Sequence, residues 1–243
     1  MDTLFPIRCL SCQKEGSFIC GDCLQKIRLL SFQICPRCEK LITEQGRLCS
    51  FCQKQSPLLD NLVVATRYKE GNISKLVHLY KYNFVEDLRV PLGVLLAKAI
   101  LKNDLPLPDI IVPVPLHKRR LRWRGFNQSE LLAYYVSDNL APGFTIPVLN
   151  DLIARQKYTP PQMKIGKYSE RRKNMQDAFQ IHPVKSATGG AGQFNRVKGK
   201  RILIIDDICT TGATLFECAK VLKANGAKKV MAAVIARQEF EVE

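Results

Sequence analysis

The part of this sequence that most restricts its fold is residues 201–220, RILIIDDICTTGATLFECAK. A short apolar run, typical of a strand buried on both faces, leads through two acids and several small residues into a helical pattern. A strand followed so closely by a helix favours a mostly parallel sheet flanked by helices. At the carboxyl edge of such a sheet, backbone N–H groups and the positive end of the helix dipole bind anions well.

The residues between this strand and this helix suit the phosphate of a sugar phosphate. Gly212 allows close approach of the backbone, and threonine hydroxyls can donate hydrogen bonds. We predict that the phosphate is held by Cys209, Thr210, Thr211, Gly212, Ala213 and Thr214. Because carboxylates repel a phosphate, we expect Asp206 and Asp207 to accept hydrogen bonds from ribose hydroxyls instead.

The remaining chain after residue 57 fits the same α/β pattern. We predict strands at residues 62–68, 109–114, 201–205 and 229–236, and short ones at 147–149 and 152–154. We predict helices at residues 72–82, 86–101, 129–140 and 214–224, the first of them capped by Asn72. Residues 155–200 are basic and contain several prolines and glycines, which predicts a flexible loop with a short helix at 169–179.

Cysteines define a second region at the start of the chain. They form four Cys-x2-Cys pairs, Cys9 and Cys12, Cys20 and Cys23, Cys35 and Cys38, and Cys49 and Cys52. Two such pairs complete a tetrahedral thiolate site, so we predict two structural zinc ions in a domain over residues 1–57. Sequential pairing is the simplest arrangement, and an interleaved, RING-like arrangement also fits the spacing. A disulfide framework is disfavoured because no export signal precedes the pairs.

The charge of the chain points to a polyanionic partner. Lysine and arginine number 37 against 22 acids, a formal net charge of +15. Most of this excess lies outside the cysteine-rich region, because residues 61–243 carry +13. Nucleic acid and a phosphorylated small molecule both suit this charge, which would otherwise serve solubility.

Two basic segments contain aromatic residues. The first holds Lys118, Arg119, Arg120, Arg122, Trp123 and Arg124, and the second, at residues 155–173, includes Arg171, Arg172 and Lys173. Cations that follow phosphates, mixed with rings that stack on bases, indicate a site for single-stranded nucleic acid. Two other interpretations stay open: the cations serve only pyrophosphate and its Mg²⁺, or they are a solvated surface with Trp123 in the core.

Two segments resemble a known family. Residues 202–214 match every position of the phosphoribosyl pyrophosphate signature of type I phosphoribosyltransferases, and residues 110–133 with the four cysteine pairs resemble the ComF family. The resemblance implies a phosphoribosyltransferase-like fold that binds phosphoribosyl pyrophosphate with Mg²⁺, and His117 and Lys118 on its pyrophosphate side. It also implies a role in natural competence, with single-stranded DNA and other DNA-uptake proteins as partners.

The sequence leaves two functions open. One is a DNA-handling protein that uses the fold to bind phosphoribosyl pyrophosphate, and the other is a working phosphoribosyltransferase with unassigned catalytic residues. We find no aromatic segment after the last predicted strand that could cover a base, and therefore favour binding over turnover. No apolar run is long enough to span a membrane and no leader is evident, so we expect a cytoplasmic protein without membrane insertion.

Overall fold

The computed structural model describes residues 6–55, 58–83, 85–158, 175–182 and 194–238. The helices are α1 (Gly21–Gln25), α2 (Ser50–Gln55), α3 (Ile73–Tyr82), α4 (Arg89–Lys102), α5 (Lys118–Arg124), α6 (Gln128–Asn139), α7 (Phe194–Val197) and α8 (Ala213–Ala224). The strands are β1 (Gln33–Ile34), β2 (Ile42–Thr43), β3 (Asn61–Arg67), β4 (Ile110–Pro113), β5 (Ile153–Arg155), β6 (Phe179–Ile181), β7 (Arg201–Cys209) and β8 (Lys229–Arg237).

A parallel sheet in the order β3-β8-β7-β4 forms the centre of the molecule. The middle of each strand is apolar because helices cover both faces. Leu203 and Ile205 face a core that includes α3, α4 and α6, whereas Ile202 and Ile204 face a second core against α8. The predicted α/β class, a mostly parallel sheet flanked by helices, is therefore confirmed.

Strand β7 is longer than the sequence predicts. We expected it to end before Asp206, but its backbone pairs with β8 as far as Cys209, which lies opposite Arg237. The extra pairing places both acids inside the strand rather than in the following loop. Their positions are thus held by the sheet itself.

Other differences concern short elements. Residues 147–149 make a single parallel bridge, between Val148 and Ile111, rather than a strand. Asn72 does not cap α3 with its side chain; its amide donates instead to the Leu10 carbonyl and the Ser11 hydroxyl. Phe179 opens β6, so the predicted helix does not reach it, and residues 159–174 lie outside the described residues. Helix α5 was not predicted.

The cysteine-rich region closes one edge of the sheet. Edge strand β3 has its Val64 N–H and C=O bonded to the Gln33 side chain, and its Ala65 carbonyl accepts from the Leu30 N–H. Gly46 approaches the Leu62 carbonyl so closely that a Cβ would clash with it. Paired in this way, β3 offers fewer free groups to another chain. The division of the chain at residue 57 stays a prediction.

Within the residues that the structure describes, none of the helices combines the length and the apolar character needed to cross a lipid bilayer.

Candidate functional site

The eight paired cysteines come together as two separate tetrads. One is Cys9, Cys12, Cys20 and Cys23, the other is Cys35, Cys38, Cys49 and Cys52, and within each the sulfurs lie within 4.8 Å of one another. The grouping is the sequential one, not the interleaved one. Sulfurs of Cys12 and Cys20 are 3.6 Å apart and those of Cys38 and Cys49 are 3.9 Å apart. Tetrahedral zinc with Zn–S bonds of about 2.3 Å requires about 3.8 Å, so the donor set fits zinc.

Backbone N–H groups favour the thiolate form of one sulfur in each tetrad, that of Cys9 in the first and that of Cys35 in the second. The Cys20 N–H donates to the Cys9 sulfur at 3.5 Å, and the Cys49 N–H donates to the Cys35 sulfur at 3.3 Å. Burial opposes ionisation of Cys9, but N–H donors from Cys12 and Cys20 outweigh it and lower its pKa to about 6. Four thiolates fill the tetrahedral positions of zinc, which makes both sites structural.

A cavity of about 140 Å³ opens at the carboxyl end of the sheet. Its floor is formed by the end of β7 with Asp206 and Asp207, and its walls come from α3, α5, α6 and β5. Thr210 and Thr214 contribute from the loop before α8 and from its first turn. Ligands of parallel α/β sheets bind at this edge, where strands end and helices begin.

The two acids on the floor have different partners. Asp206 accepts a hydrogen bond from the Ser129 hydroxyl at 2.8 Å and from the Asp207 N–H at 2.9 Å. Asp207 is only 6% exposed and pairs with the Lys81 ammonium at 2.8 Å. Burial and the neighbouring Asp207 charge raise the pKa of Asp206 to about 7, although Lys81 and Ser129 act in the opposite direction. The carboxylate therefore changes charge near neutral pH.

A buried polar turn holds Ser129 beside Asp206. Asn127 caps α6 by accepting from the Ser129 N–H, and its amide donates to the Val114 carbonyl at the end of β4. Gln128 is 1% exposed; its amide donates to the Tyr80 carbonyl, and the Tyr80 hydroxyl donates to the Gln128 carbonyl. These bonds join α3, α6 and β4 around the floor of the cavity.

The predicted phosphate loop has a shape that requires glycine. Gly212 caps α8 with φ of 72°, in the left-handed region, and a Cβ there would contact the Phe216 ring at 3.4 Å. The Thr211 hydroxyl accepts from the Ala213 N–H, and Thr211 is almost fully buried. Of the predicted phosphate ligands, Thr210 and Thr214 line the cavity, whereas Cys209 is buried behind it.

Three arginines join the cavity from elements other than the loop. Arg120 and Arg124, one turn apart on α5, line it together with Arg155 of β5. Burial and the charge of Arg120 lower the pKa of Arg155 to about 10, and burial and Arg124 lower that of Arg120. Cations crowded in this way are stabilised by a bound anion.

The other predicted residues of this region lie outside the cavity lining. His117 caps α5, its Nδ1 accepting from the Arg119 N–H, while burial and neighbouring cations lower its pKa. Arg119 lies over the Tyr158 ring at 5.3 Å. Lys118, Arg122 and Trp123 are exposed on α5. Arg171, Arg172 and Lys173, which we predicted to contact DNA, lie outside the described residues.

Several cavity residues escaped the sequence reasoning. Lys81, His78 and Tyr82 come from α3, where their pattern is that of a common amphipathic helix. Ser129 follows an asparagine cap, a signal that indicates a helix start but not a partner 77 residues away.

Trp123 is 58% exposed, so the interpretation that placed it in the core is wrong.

A buried arginine connects the second cysteine tetrad with the phosphate loop. Arg237, at the end of β8, is 3.5 Å from the Glu39 carboxylate, and its guanidinium donates to the Cys209 sulfur at 3.6 Å. Glu39 follows the tetrad residue Cys38, and its N–H donates to the Cys35 carbonyl. The turn that follows Cys38 and the start of the predicted phosphate loop thus contact the same guanidinium.

Comparison with known proteins supports the description of both the cysteine-rich region and the α/β region of the chain. Residues 1–57 match the double zinc ribbon domain, and residues 132–240 match the phosphoribosyl transferase domain. The first match supports structural zinc at the two tetrads. The second covers most of α6 and all of β7, the predicted phosphate loop, α8 and β8.

Proteins similar to most of this chain carry names that mention competence or DNA utilization. Competence protein F of Haemophilus influenzae is 31% identical over 98% of this chain and 100% of its own length. DNA utilization protein YhgH of Escherichia coli is 31% identical over 87% of each chain. Competence protein ComFC of Bacillus subtilis is 24% identical over 90% of this chain and 83% of its own. The chain therefore belongs to the ComF family of competence-related, phosphoribosyltransferase-like proteins with an N-terminal double zinc ribbon.

Proposed function

We propose that this protein binds phosphoribosyl pyrophosphate in the cavity at the end of β7 and single-stranded DNA along α5, as a DNA-handling protein of natural competence. The observation that carries the proposal is the convergence of three kinds of group in one cavity. Asp206 and Asp207 offer acceptors, Thr210 and Thr214 offer hydroxyls, and arginines offer positive charge. A ribose with phosphates on both sides has the complementary groups.

The position of each group suggests how the ligand lies. The 5-phosphate meets the loop at Thr210–Thr214, where the N-terminus of α8 favours an anion. The ribose hydroxyls donate to the acids, with Lys81 balancing the charge of Asp207. The pyrophosphate then extends towards Arg120, Arg124 and Arg155, of which the first two belong to the segment that the family resemblance places on its pyrophosphate side. Mg²⁺ comes with the pyrophosphate and neutralises part of its charge.

DNA binding is proposed for the exposed side of α5. Arg119 and Arg122 are exposed and do not line the cavity, Trp123 and Tyr158 are exposed rings, and Arg119 lies over the Tyr158 ring. A phosphate backbone can follow the arginines while bases contact the rings. The neighbouring Arg120 and Arg124 belong to the cavity, so the two ligands would lie side by side.

Calorimetry with phosphoribosyl pyrophosphate and Mg²⁺ tests the cavity. Asp206→Asn with Asp207→Asn keeps the size of both side chains, and we expect it to lower the affinity at least tenfold because amides accept ribose hydroxyls less strongly. Asp138→Asn removes an acid from the exposed side of α6 and should leave the affinity unchanged. Equal affinity of the double variant and the wild type would contradict the ribose assignment.

A salt titration with a labelled oligonucleotide tests the DNA site. The logarithm of affinity should fall with a slope of about −0.7 per phosphate neutralised, so Arg119→Ala with Arg122→Ala should flatten the slope by about 1.4. Lys98→Ala with Lys228→Ala, which removes two exposed cations elsewhere, is the charge-matched control. Identical slopes for the two double variants would rule out α5 as the DNA site.

A second candidate function is phosphoribosyl transfer. The observation that favours it is the presence of aromatic side chains, His78 and Tyr82, on the cavity wall, because a nitrogenous acceptor needs a surface beside C1 of the ribose. In such a reaction the C1–O bond breaks as pyrophosphate leaves, the acceptor nitrogen forms the new C1–N bond, and the nitrogen loses a proton. Release of pyrophosphate in the presence of nitrogenous acceptors, measured against a no-acceptor control, decides between binding and transfer.

A further inference from the structure

A second cavity, of about 270 Å³, lies at the opposite end of the sheet, where the strands begin. Its lining comes from the cysteine-rich region and from the sheet, and consists of Arg47, Leu48, Gln53, Asp60, Asn61 and Lys229. The nine residues of β7 separate the two ends of the sheet by roughly 25 Å, at about 3.3 Å per residue. Because two regions of the chain meet there, we call it the junction cavity.

Asn61 gives the junction cavity a fixed hydrogen-bond acceptor. This residue is fully buried at the start of β3 and lines the cavity. Its amide donates to the Gln45 carbonyl at 3.0 Å, but no group of the described residues donates to its Oδ1. A buried acceptor without a donor destabilises a fold, so it requires an explanation, and a bound molecule supplies one. Such a molecule must carry a hydrogen-bond donor.

Two cations line the same cavity, one from each side of the junction. Arg47 belongs to the cysteine-rich region, and Lys229 begins β8. The acid of the lining, Asp60, is paired with the Lys223 ammonium at 2.7 Å, and within the described residues neither Arg47 nor Lys229 has a carboxylate at ion-pair distance. Burial and the charge of Arg47 lower the pKa of Lys229, which Asp60 opposes. Two positive charges are therefore left for a ligand.

The charges and the acceptor together distinguish between classes of ligand. A phosphate monoester carries close to two negative charges at neutral pH, because its second pKa is about 6. Arginine binds phosphate oxygens through pairs of N–H groups. A carboxylate would balance only one of the two cations, and a neutral sugar would balance neither. The acceptor of Asn61 adds the requirement for a hydroxyl or amide group close to the phosphate.

We propose that the junction cavity binds a small phosphate monoester, with its phosphate between Arg47 and Lys229 and a neighbouring hydroxyl donating to Asn61. The lining shares no described residue with the cavity at the end of β7, so this site does not depend on the function proposed above. Because the ligand contacts both the cysteine-rich region and the sheet, its binding stabilises their attachment as occupancy rises.

Protection of Lys229 from acetylation locates the ligand directly. At about 90% occupancy, ribose 5-phosphate should slow the reaction of Lys229 with acetic anhydride about tenfold, measured by peptide mass spectrometry. The reaction of Lys98, exposed on α4, should not change. Arg47→Ala should remove the protection, whereas Arg28→Ala, which removes another exposed arginine of the cysteine-rich region, should keep it. Sulfate, a dianion without a donor for Asn61, should protect less at equal concentration; equal protection would refute the role of Asn61.

Gly212→Val separates this site from the cavity at the end of β7. The variant should lose ribose 5-phosphate at the phosphate loop and keep the protection of Lys229, and loss of both would refute a separate site. Unchanged calorimetric affinity together with protection would refute only the site at the phosphate loop. Equal protection of Lys198 and Lys200, exposed cations on the same edge of the sheet, would indicate diffuse attraction of anions and refute the junction site.

Two oligonucleotides identify the source of the monoester. Stronger protection of Lys229 by 5′-phosphorylated oligothymidylate than by the 5′-hydroxyl strand would support the end of a DNA strand as the ligand. Protection by ribose 5-phosphate and by neither strand would support a free phosphorylated metabolite. Equal protection by the two strands would contradict a site for a monoester, since the phosphodiesters that both strands share carry one charge each.

Discussion

The zinc ribbon and the cavity at the end of β7 are built in opposite ways. Each tetrad takes its four sulfurs from one short stretch, Cys9 to Cys23 or Cys35 to Cys52, and local turns orient them. The cavity takes its side chains from Tyr68 to Gln238, spread over most of the described chain. A metal site of the first kind forms as soon as its own segment folds. The second kind exists only after the sheet and its helices have packed.

This difference predicts that substitutions in the zinc ribbon and in the cavity affect the protein differently. Loss of zinc should have the largest effect. We expect about two zinc ions per wild-type chain by elemental analysis, and about one after Cys20→Ser or Cys49→Ser. Structural zinc contributes about 10–16 kcal/mol to folding in small zinc-finger peptides, so each variant should lose much of the order around its own tetrad. Because the ribbon covers edge strand β3, the melting temperature of the whole protein should also fall.

Cys218→Ser is the matched control for zinc loss, because Cys218 is a buried cysteine of α8 outside both tetrads. It should keep two zinc ions. A wild-type protein that carries one zinc would remove one of the two sites, and the two cysteine variants would then show which tetrad is the empty one.

Glu39 offers a way to break the connection between the two regions. Glu39→Ala removes the carboxylate beside the largely buried Arg237, and we expect it to lower the free energy of unfolding by about 2 kcal/mol. Since Arg237 also donates to the Cys209 sulfur, affinity for phosphoribosyl pyrophosphate should fall as well. Glu15→Ala breaks an exposed pair with Arg8 in the same ribbon and should cost less than about 1 kcal/mol. Denaturant titration and calorimetry measure both effects; unchanged ligand affinity in Glu39→Ala would show that the two regions act independently.

Gly212→Val tests the predicted phosphate loop without changing a residue of the zinc ribbon. A β-branched residue in the left-handed region should cost about 1–2 kcal/mol of stability and disturb the phosphate loop, lowering ligand affinity strongly. Gly143→Val introduces similar strain, at φ of 74°, where nothing lies within 4 Å of the added Cβ. It should lose comparable stability and keep its affinity. Equal ligand affinity in the two variants would argue against the loop as the phosphate site.

The smallest expected effect is a dependence of ligand affinity on pH. Asp206 must be ionised to accept strongly from a ribose hydroxyl, and with a pKa of about 7 its ionised fraction rises about tenfold between pH 6 and 8. Affinity for ribose 5-phosphate should rise over this range. Asp206→Asn should keep only the part due to the phosphate itself, whose second pKa is about 6. Parallel profiles for the two proteins would contradict an ionising role for Asp206.

The same raised pKa has the opposite effect on stability. The unfolded carboxyl gives up its proton near its ordinary value of 3.8, whereas the folded one keeps it until about pH 7. The contribution of Asp206 to stability is therefore present below pH 3.8 and is lost as the pH rises towards 7. Denaturant titrations at a series of pH values measure this effect. Within this window, the free energy of unfolding of the wild type should fall more steeply with pH than that of Asp206→Asn.

Sequence reasoning succeeded where the chemistry is carried by neighbours in the chain. The cysteine spacing identified the eight cysteines that form the tetrads, and the pattern from Ile202 to Thr214 identified the strand, the loop and the helix. It was wrong about the end of β7, because the partner strand β8 extends the pairing past the acids as far as Cys209. It was also wrong in placing Trp123 in the core as one alternative, since periodicity cannot show which face of a short helix is covered.

By itself, the sequence determined the α/β class, the eight cysteines of the tetrads and the strand, loop and helix around Gly212, since a strand, a two-residue cysteine turn or a glycine cap depends on adjacent residues. Only the tertiary structure decided that the tetrads are sequential and that Lys81 and Ser129 meet the acid pair. It also decided that Arg120 and Arg124 face the cavity. These contacts join residues such as Ser129 and Asp206, 77 positions apart, which the closing of the sheet and the packing of α3 and α6 bring together.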